Sequence, residues 1–341
     1  MLRKANLSPL NREGKMYRSK IRALHLLNRL SFFDLIRNFQ RKRIAILMYH
    51  RFSHHNEPFK ISSRVFENQM AFLKKKYNVI SLARLSNILV GKCSYPRNPL
   101  IVTIDDGYYD NYSIAYPILK KYSIPATIFL TTDFVANRCW LWSNKLEYIL
   151  KNSRMSQFKF FLGSKEESFS VSTFRGWHRA QLIFFNYLRK IGSKKDIFLT
   201  ELADYLKVII PEEISVDFLP LSWENILEMQ NNGIHFGSHT CTHPILSTLN
   251  KNKLQYEIFS SKREIESRLS REVCDFSYPN GRREDINKDV INVVEDAGYL
   301  CAVTTEPGFN YRNITNPFML KRASISTDDH AVISRVLTSF N

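Results

Sequence analysis

Short runs of apolar residues alternate with amphipathic stretches along most of the chain. "IAILMY" (Ile44–Tyr49), "PLIVTI" (Pro99–Ile104) and "ATIFLT" (Ala126–Thr131) are apolar at nearly every position, the pattern of strands buried on both faces. Between them, Arg64–Tyr77 sets Phe66, Met70, Leu73 and Tyr77 on one helical face, and a second helix is predicted near Asn111–Tyr122. The same rhythm returns later. A helix opens on Ser222 as N-cap and closes near Gly233, and the strand "IHFGS" runs into His239. A helix over Leu254–Ser270, the strand "CDFSYP", a helix over Asp289–Ala297 and the strands "LCAVTT" and "FMLKRASI" complete the series. Seven candidate strands separated by helices predict an α/β chain whose parallel sheet closes, or nearly closes, into a (β/α) barrel.

Two stretches depart from this rhythm. From about residue 134 to 220, "FKFFLGSKEESFSVS" reads as a hairpin, followed by helical patterns near Gly176–Lys190 and Lys194–Val208. This is an inserted α+β segment, a cap or lid over the barrel. Residues 1–43 form the other exception. Residues 1–15 read as a loose tail, and Met16–Phe39 as a helix with Ile21, Leu24, Leu27, Phe32, Ile36 and Phe39 in an apolar stripe. The stripe reads first as a face packed on the main domain. A basic amphipathic helix of this kind also suits an anionic membrane surface.

Charge sharpens the second reading. The chain carries 49 Lys and Arg against 32 Asp and Glu, a formal charge of +17. Twelve of the basic residues precede Ile44, opposed only by Glu13 and Asp34. Such an excess draws the protein towards anionic lipid, nucleic acid or a phosphate-bearing substrate. No aromatic-rich RNA motif or helix-turn-helix pattern accompanies it, so nucleic acid is not the expected partner. Five cysteines without a CxxC pair fit a reducing compartment. No secretory signal and no spanning helix are seen, so a cytoplasmic protein is expected, peripheral to the inner membrane where the basic helix touches it.

In a parallel barrel the loops after the strands build the site. Three polar signatures fall there: His50, Asp105-Asp106-Gly107, and His239 with His243 in "GSHTCTHP". Four residues apart on a helical turn, two imidazoles can share a cation; a hydrogen-bonded loop pair is the plainer alternative. Asp-Asp-Gly can be a mere turn. Yet adjacent carboxylates at the end of a buried strand repel each other unless something positive sits close. Asp106, His239 and His243 would offer a divalent cation one oxygen and two nitrogens, leaving open positions, as catalytic sites do. Zinc is the first choice; cobalt, nickel or iron fit the same ligands. Asp105 is then free to act as a base.

"TIDDG" (Thr103–Gly107) and "HTCTH" (His239–His243), in this order and at strand ends, resemble the first two motifs of the polysaccharide deacetylases, the NodB-homology domain of carbohydrate esterase family four. "LMYHRF" and "LSWENILEMQNNGIHFGSHTCTHPIL" resemble one bacterial branch of it. The resemblance spans about Ile44–Asp133 and Leu219–Ile325. It implies a distorted barrel of seven or eight strands and metal-dependent hydrolysis of an N-acetyl group on an amino sugar, with Asp106, His239 and His243 as ligands and Asp105 as base. A backbone N–H near Tyr108 would help hold the oxyanion. Two motifs depart from the family. Its R-x-P-[YF] stands here as "SYPN", with Ser277 in place of arginine, and its late L-x-H as Leu320-Lys321-Arg322. Arg322 or Arg282 could replace the arginine. His50 becomes the candidate acid, with a substrate-binding role as its alternative. Tyr108, Tyr278, Pro279, Asn280 and Arg322 are expected on the substrate side of the site. The substrate expected is a surface polysaccharide or its lipid-linked precursor. A deformylase or other C–N hydrolase of the same fold, or a silent carbohydrate-binding protein, are the alternatives.

Overall fold

The computed structural model describes residues 20–40 and 42–339. The expected tail over residues 1–15 and the start of the expected N-terminal helix, residues 16–19, lie outside them. Eight parallel strands form the frame: β1 (Arg43–Tyr49), β2 (Asn78–Ile80), β3 (Pro99–Ile104), β4 (Ala126–Leu130), β5 (His235–Ser238), β6 (Asp275–Ser277), β7 (Cys301–Pro307) and β8 (Leu320–Arg322). Their order is β1-β3-β4-β5-β6-β7-β8, with β2 beside the first half of β3. The ring comes back on itself just past β8: Ala323 donates to Ile46 O at 2.8 Å and accepts from Met48 N–H at 3.0 Å. The barrel is thus nearly closed, and β1, β3 and β4 are buried almost throughout, as their unbroken apolar runs require. The short β2, "NVI", is the strand that the sequence pattern did not reveal.

Helices cover the outside. Ser63–Lys76 starts where Ser62 caps Val65 N–H, and Trp223–Asn231 starts in a capping box formed by Ser222 and Asn225. The helix expected over Leu254–Ser270 is three pieces, Lys251–Gln255, a π turn at Tyr256–Ser260, and Ser261–Leu269. The stretch after Asp133 departs from the barrel as expected. It comprises the helix Trp142–Lys151, the hairpin Gln157–Leu162 with Lys165–Ser170, and the helices Phe174–Ile191 and Lys195–Tyr205. These close on their own core, in which Phe158, Phe169, Phe184 and Phe198 stack.

The N-terminal segment is not one helix. Residues 20–29 are helical, the chain turns at Ser31 with φ 57°, and a second helix follows at Phe32–Phe39. Phe33 is buried and Lys76 pairs with Asp34 at 2.8 Å, so the pair packs on the barrel. Its outward side still exposes Leu26, Leu30, Leu35 and Phe39.

Candidate metal centre and active-site cavity

The loop after β3 carries the two carboxylates. Asp105 N–H continues the ladder to Tyr49 O at 2.9 Å, and the chain then turns through Asp106 and Gly107, both left-handed at φ 78° and 85°. A Cβ at Gly107 would lie 3.0 Å from Leu130 and 3.2 Å from Val135, so this turn needs glycine for space as well as for φ. The turn sends Asp105 and Asp106 in different directions.

After β5, His239 and His243 come together in an irregular loop and not on the helical turn that their spacing implied. Thr240 and His243 are left-handed, at φ 71° and 58°, conformations that cost non-glycine residues energy and must be held by their surroundings. Glu257, on the π turn, does the holding. Its carboxylate accepts from Cys241 N–H at 2.8 Å, Thr242 N–H at 2.9 Å and Thr242 Oγ1 at 2.5 Å. His243 N–H is in turn fixed by Thr240 Oγ1 at 3.0 Å. The two imidazoles end 4.8 Å apart between centroids.

Asp106 Oδ1 lies 3.4 Å from His239 Nε2 and 3.5 Å from His243 Nε2, and one ligand atom from each residue falls within 4.8 Å of the others. All three side chains are buried, and Asp106 Oδ1 has no hydrogen-bond partner. His239 Nδ1 sits 2.7 Å from Ser277 O, which orients the ring so that Nε2 faces the carboxylate; burial pushes this imidazole down, but Asp106, Asp105 and the Ser277 carbonyl more than offset it, so the net direction is up. Burial pushes the His243 imidazole down to about 3, so it stays neutral, as a ligand must. Burial pushes the Asp106 carboxyl up, but the facing imidazoles more than offset it and hold the group ionised. The donor set, its spacing and the orphaned buried oxygen all fit a divalent cation.

Asp105, the expected base, is held by one of the two arginines that the sequence offered in place of the missing one. It is buried and clamped by Arg322, whose Nη1 and Nη2 reach Oδ1 at 2.8 Å and Oδ2 at 2.7 Å. Burial pushes its carboxyl up, while the guanidinium pulls it down further, so the net direction is down. Arg322 also donates from Nε to Thr304 O at 2.7 Å and from Nη2 to Ser277 Oγ at 3.2 Å. The small side chain of Ser277 leaves room for it. His50 stands at the mouth, half-exposed, with Nε2 3.7 Å from Asp105 Oδ2.

These groups open on a cavity of about 620 Å³. His50, Asp105, Asp106, Tyr108, His239, His243 and Asn280 line it. Tyr108 OH is committed to Asn144 of the insertion, at 2.7 Å. Three residues expected on the substrate side are elsewhere. Tyr278 is buried against Phe276, and Pro279 is buried; neither lines the cavity. Arg322 lies beneath Asp105, fully enclosed, and touches the base in place of the substrate. β6 ends at Ser277, sooner than the apolar run implied, and the chain there folds Tyr278 inward. Asn144, Glu147, Gln181 and Phe185 bring the insertion into the cavity wall. Glu257 escaped the sequence reading, because an acid on a helix looks like an ordinary solvated position.

Residues 93–302 match the polysaccharide deacetylase family. YxkH of Bacillus subtilis strain 168, a protein grouped with the polysaccharide deacetylases, is 26% identical over 285 residues, 83% of this chain and 72% of that one. The poly-beta-1,6-N-acetyl-D-glucosamine N-deacetylase of Staphylococcus aureus strain N315 is 30% identical over 101 residues, only 30% of this chain and 34% of that one. Among solved structures, the Streptococcus pyogenes deacetylase PplD in complex with acetate aligns at a TM-score of 0.57 and 19% identity, over 86% of this chain and 97% of that one. IcaB from Ammonifex degensii aligns at 0.58 and 17% identity, over 88% and 99%. These two share the fold.

Proposed function

The chain belongs to the polysaccharide deacetylases, hydrolases of N-acetyl amide bonds, and we propose that it deacetylates an amino sugar of a surface polysaccharide or its lipid-linked precursor, with a divalent cation held by Asp106, His239 and His243. One observation carries this reading: a buried carboxylate oxygen with no partner faces two imidazoles, next to a second carboxylate clamped by arginine. A cation bound there polarises the amide carbonyl and acidifies water. Arg322 fixes the orientation of Asp105 and keeps it ionised, which makes it a well-placed but weak base. Asp105 takes the proton of the attacking water. His50, at the mouth and next to Asp105, delivers a proton to the departing amine, which would otherwise be a very poor leaving group. The Tyr108 N–H, next after Gly107, is the one we assign to the oxyanion, since that of Tyr109 is spent on Leu219 O at 2.8 Å.

The basic N-terminal helices support a place at the cytoplasmic face of a membrane, where a lipid-linked sugar would be met. Zinc is the cation we favour, from the mixed oxygen and nitrogen donor set. The test is metal analysis of purified protein alongside acetate release from an N-acetylglucosamine oligomer. About one cation per chain is expected from a single three-residue donor set, lost together with acetate release in His239→Ala. Formate release from an N-formyl sugar with none from the acetyl sugar would shift the reading to a deformylase. A metal-free protein still releasing acetate would end it.

A further inference from the structure

Phe59 is an exposed aromatic ring that its surroundings hold firmly in place. It lines the active-site cavity, yet 49% of its surface is open, and its backbone is left-handed at φ 57°. A bulky residue in that region is strained and persists only where neighbours enforce it. Here they do. The short strands Phe52–Ser53 and Ile61–Ser62 pair at the base of the loop, and Ile61 N–H bonds Arg51 O at 3.0 Å. Within the loop, Glu57 accepts from Ser53 Oγ and pairs with Lys60 Nζ at 2.9 Å. One face of the ring is covered by the insertion: His178 stacks on it at 5.0 Å and 15°, and Trp177 lies at 5.6 Å.

A second observation lies one turn along the same inserted helix. Gln181 also lines the cavity, is only 7% exposed, and its Oε1 has no hydrogen-bond partner. A buried amide oxygen left without a donor is costly unless a ligand supplies one. An apolar ring face and an orphaned acceptor in one cavity wall match a pyranose, which offers an apolar C–H face and hydroxyl donors around its edge.

We propose that Phe59 and Gln181 form a second sugar subsite, completed by the insertion and separate from the reacting acetamide, so that these two residues set how tightly a neighbouring unit of the sugar chain is held. The inference rests on the deacetylase reading for the identity of the sugar. It also accounts for the insertion, whose helix backs the ring and supplies the polar contact.

The experiment measures binding and turnover of the β-1,4- and β-1,6-linked N-acetylglucosamine pentamers against the monosaccharide, by saturation-transfer NMR and by acetate release. Wild type is expected to bind at least one pentamer more tightly than the monosaccharide. Phe59→Ala should lose about five- to tenfold of that preference through KM, the scale of an aromatic contact, with kcat little changed. Gln181→Leu should lose a similar factor, and Phe59→Trp should retain the preference. A pentamer bound no better than the monosaccharide, or a preference that survives both Phe59→Ala and Gln181→Leu, overturns the subsite. Equal loss on monosaccharide and pentamer overturns it too, because the ring would then serve only to latch the insertion. A pentamer that binds through Phe59 without acetate release would instead overturn the deacetylase reading and leave the subsite standing.

Discussion

Asp105 and Arg322 carry opposite charges in a buried place, and each is tolerable only because of the other. A buried carboxylate without a partner would take up a proton and be useless as a base. The two parallel bonds at 2.8 and 2.7 Å prevent this and fix the plane of the carboxylate. The residue at position 277 decides where the arginine comes from. With serine there, the neighbouring strands leave a channel, and Arg322 threads it from β8 with Ser277 Oγ and Thr304 O as further acceptors. Removing one partner of such a pair costs about 3–5 kcal/mol, since the other stays buried and uncompensated. We therefore predict that Arg322→Met loses stability on that scale, read by urea unfolding, and at least a hundredfold in kcat, the scale of a lost acid or base. Arg322→Lys should recover much of the stability but little of the rate, because a single ammonium cannot hold both oxygens. An active, fully stable Arg322→Met would refute the role. From the sequence, the loss of the usual arginine was legible at Ser277, and Arg322 was among its candidate replacements. The sequence offered it both as that base-orienting replacement and as a substrate-side residue, and could not choose between the two places, because only the strand register decides.

Among the elements, strands were the easiest feature to read and the metal loop the hardest. β1, β3 and β4 announce themselves because both faces are covered and no polar residue interrupts them. The His239–His243 spacing pointed to a helical turn, whereas the loop uses two left-handed residues that depend on Glu257, remote in sequence and buried only through folding. No local pattern could report that. A similar long-range tie lies lower in the barrel, where the helix Leu82–Leu89 meets β6 and β7. Ser86 Oγ donates to Asp275 Oδ1 at 2.6 Å, with Cys301 Sγ at 3.5 Å. Burial pushes the Asp275 carboxyl up to about 6, partly opposed by Ser86, Cys301 and the distant Lys262 charge. A carboxyl raised in the folded state stabilises most when protonated, below its ordinary value near 3.8, and that contribution is lost as pH rises through 6. Asp275→Asn keeps an acceptor for Ser86 and removes the buried charge. It should gain about 1–3 kcal/mol over wild type at pH near 7.5, shrinking towards zero below about pH 4. Chemical unfolding across that range checks it; a difference independent of pH would show that the charge is not the cause.

For the whole molecule, the question is where the excess positive charge and the outer side of the N-terminal helices point. The segment was expected to pack on the main domain through its apolar stripe; Ile21, Leu24, Leu27 and Ile36 of that stripe are half-buried, Phe32 and Phe39 are exposed, and the buried residue is Phe33, which lies outside the stripe. The turn at Ser31 leaves a second apolar set outward, with Leu30 68% and Phe39 82% exposed. Lys20, Arg22 and Arg29 share the exposed surface of the same helices. Exposed apolar side chains beside basic ones are the composition of a surface that settles into the headgroup region of anionic bilayers. No helix among the described residues is long and apolar enough to cross a membrane. Each basic residue near such a surface contributes about 1 kcal/mol, and the apolar side chains add to it. We predict that the full chain sediments with vesicles of phosphatidylcholine and phosphatidylglycerol at low salt, is partly released as salt is raised, and ignores phosphatidylcholine alone. Leu30→Ser with Phe39→Ser should weaken sedimentation while leaving acetate release from a soluble oligomer unchanged, because neither residue lines the cavity. If wild type fails to bind anionic vesicles, or the double variant binds them as well as wild type, the apolar face serves another partner and the membrane reading falls. A second copy of the chain would then be the occupant to seek, as a concentration-dependent mass in light scattering that the double variant abolishes.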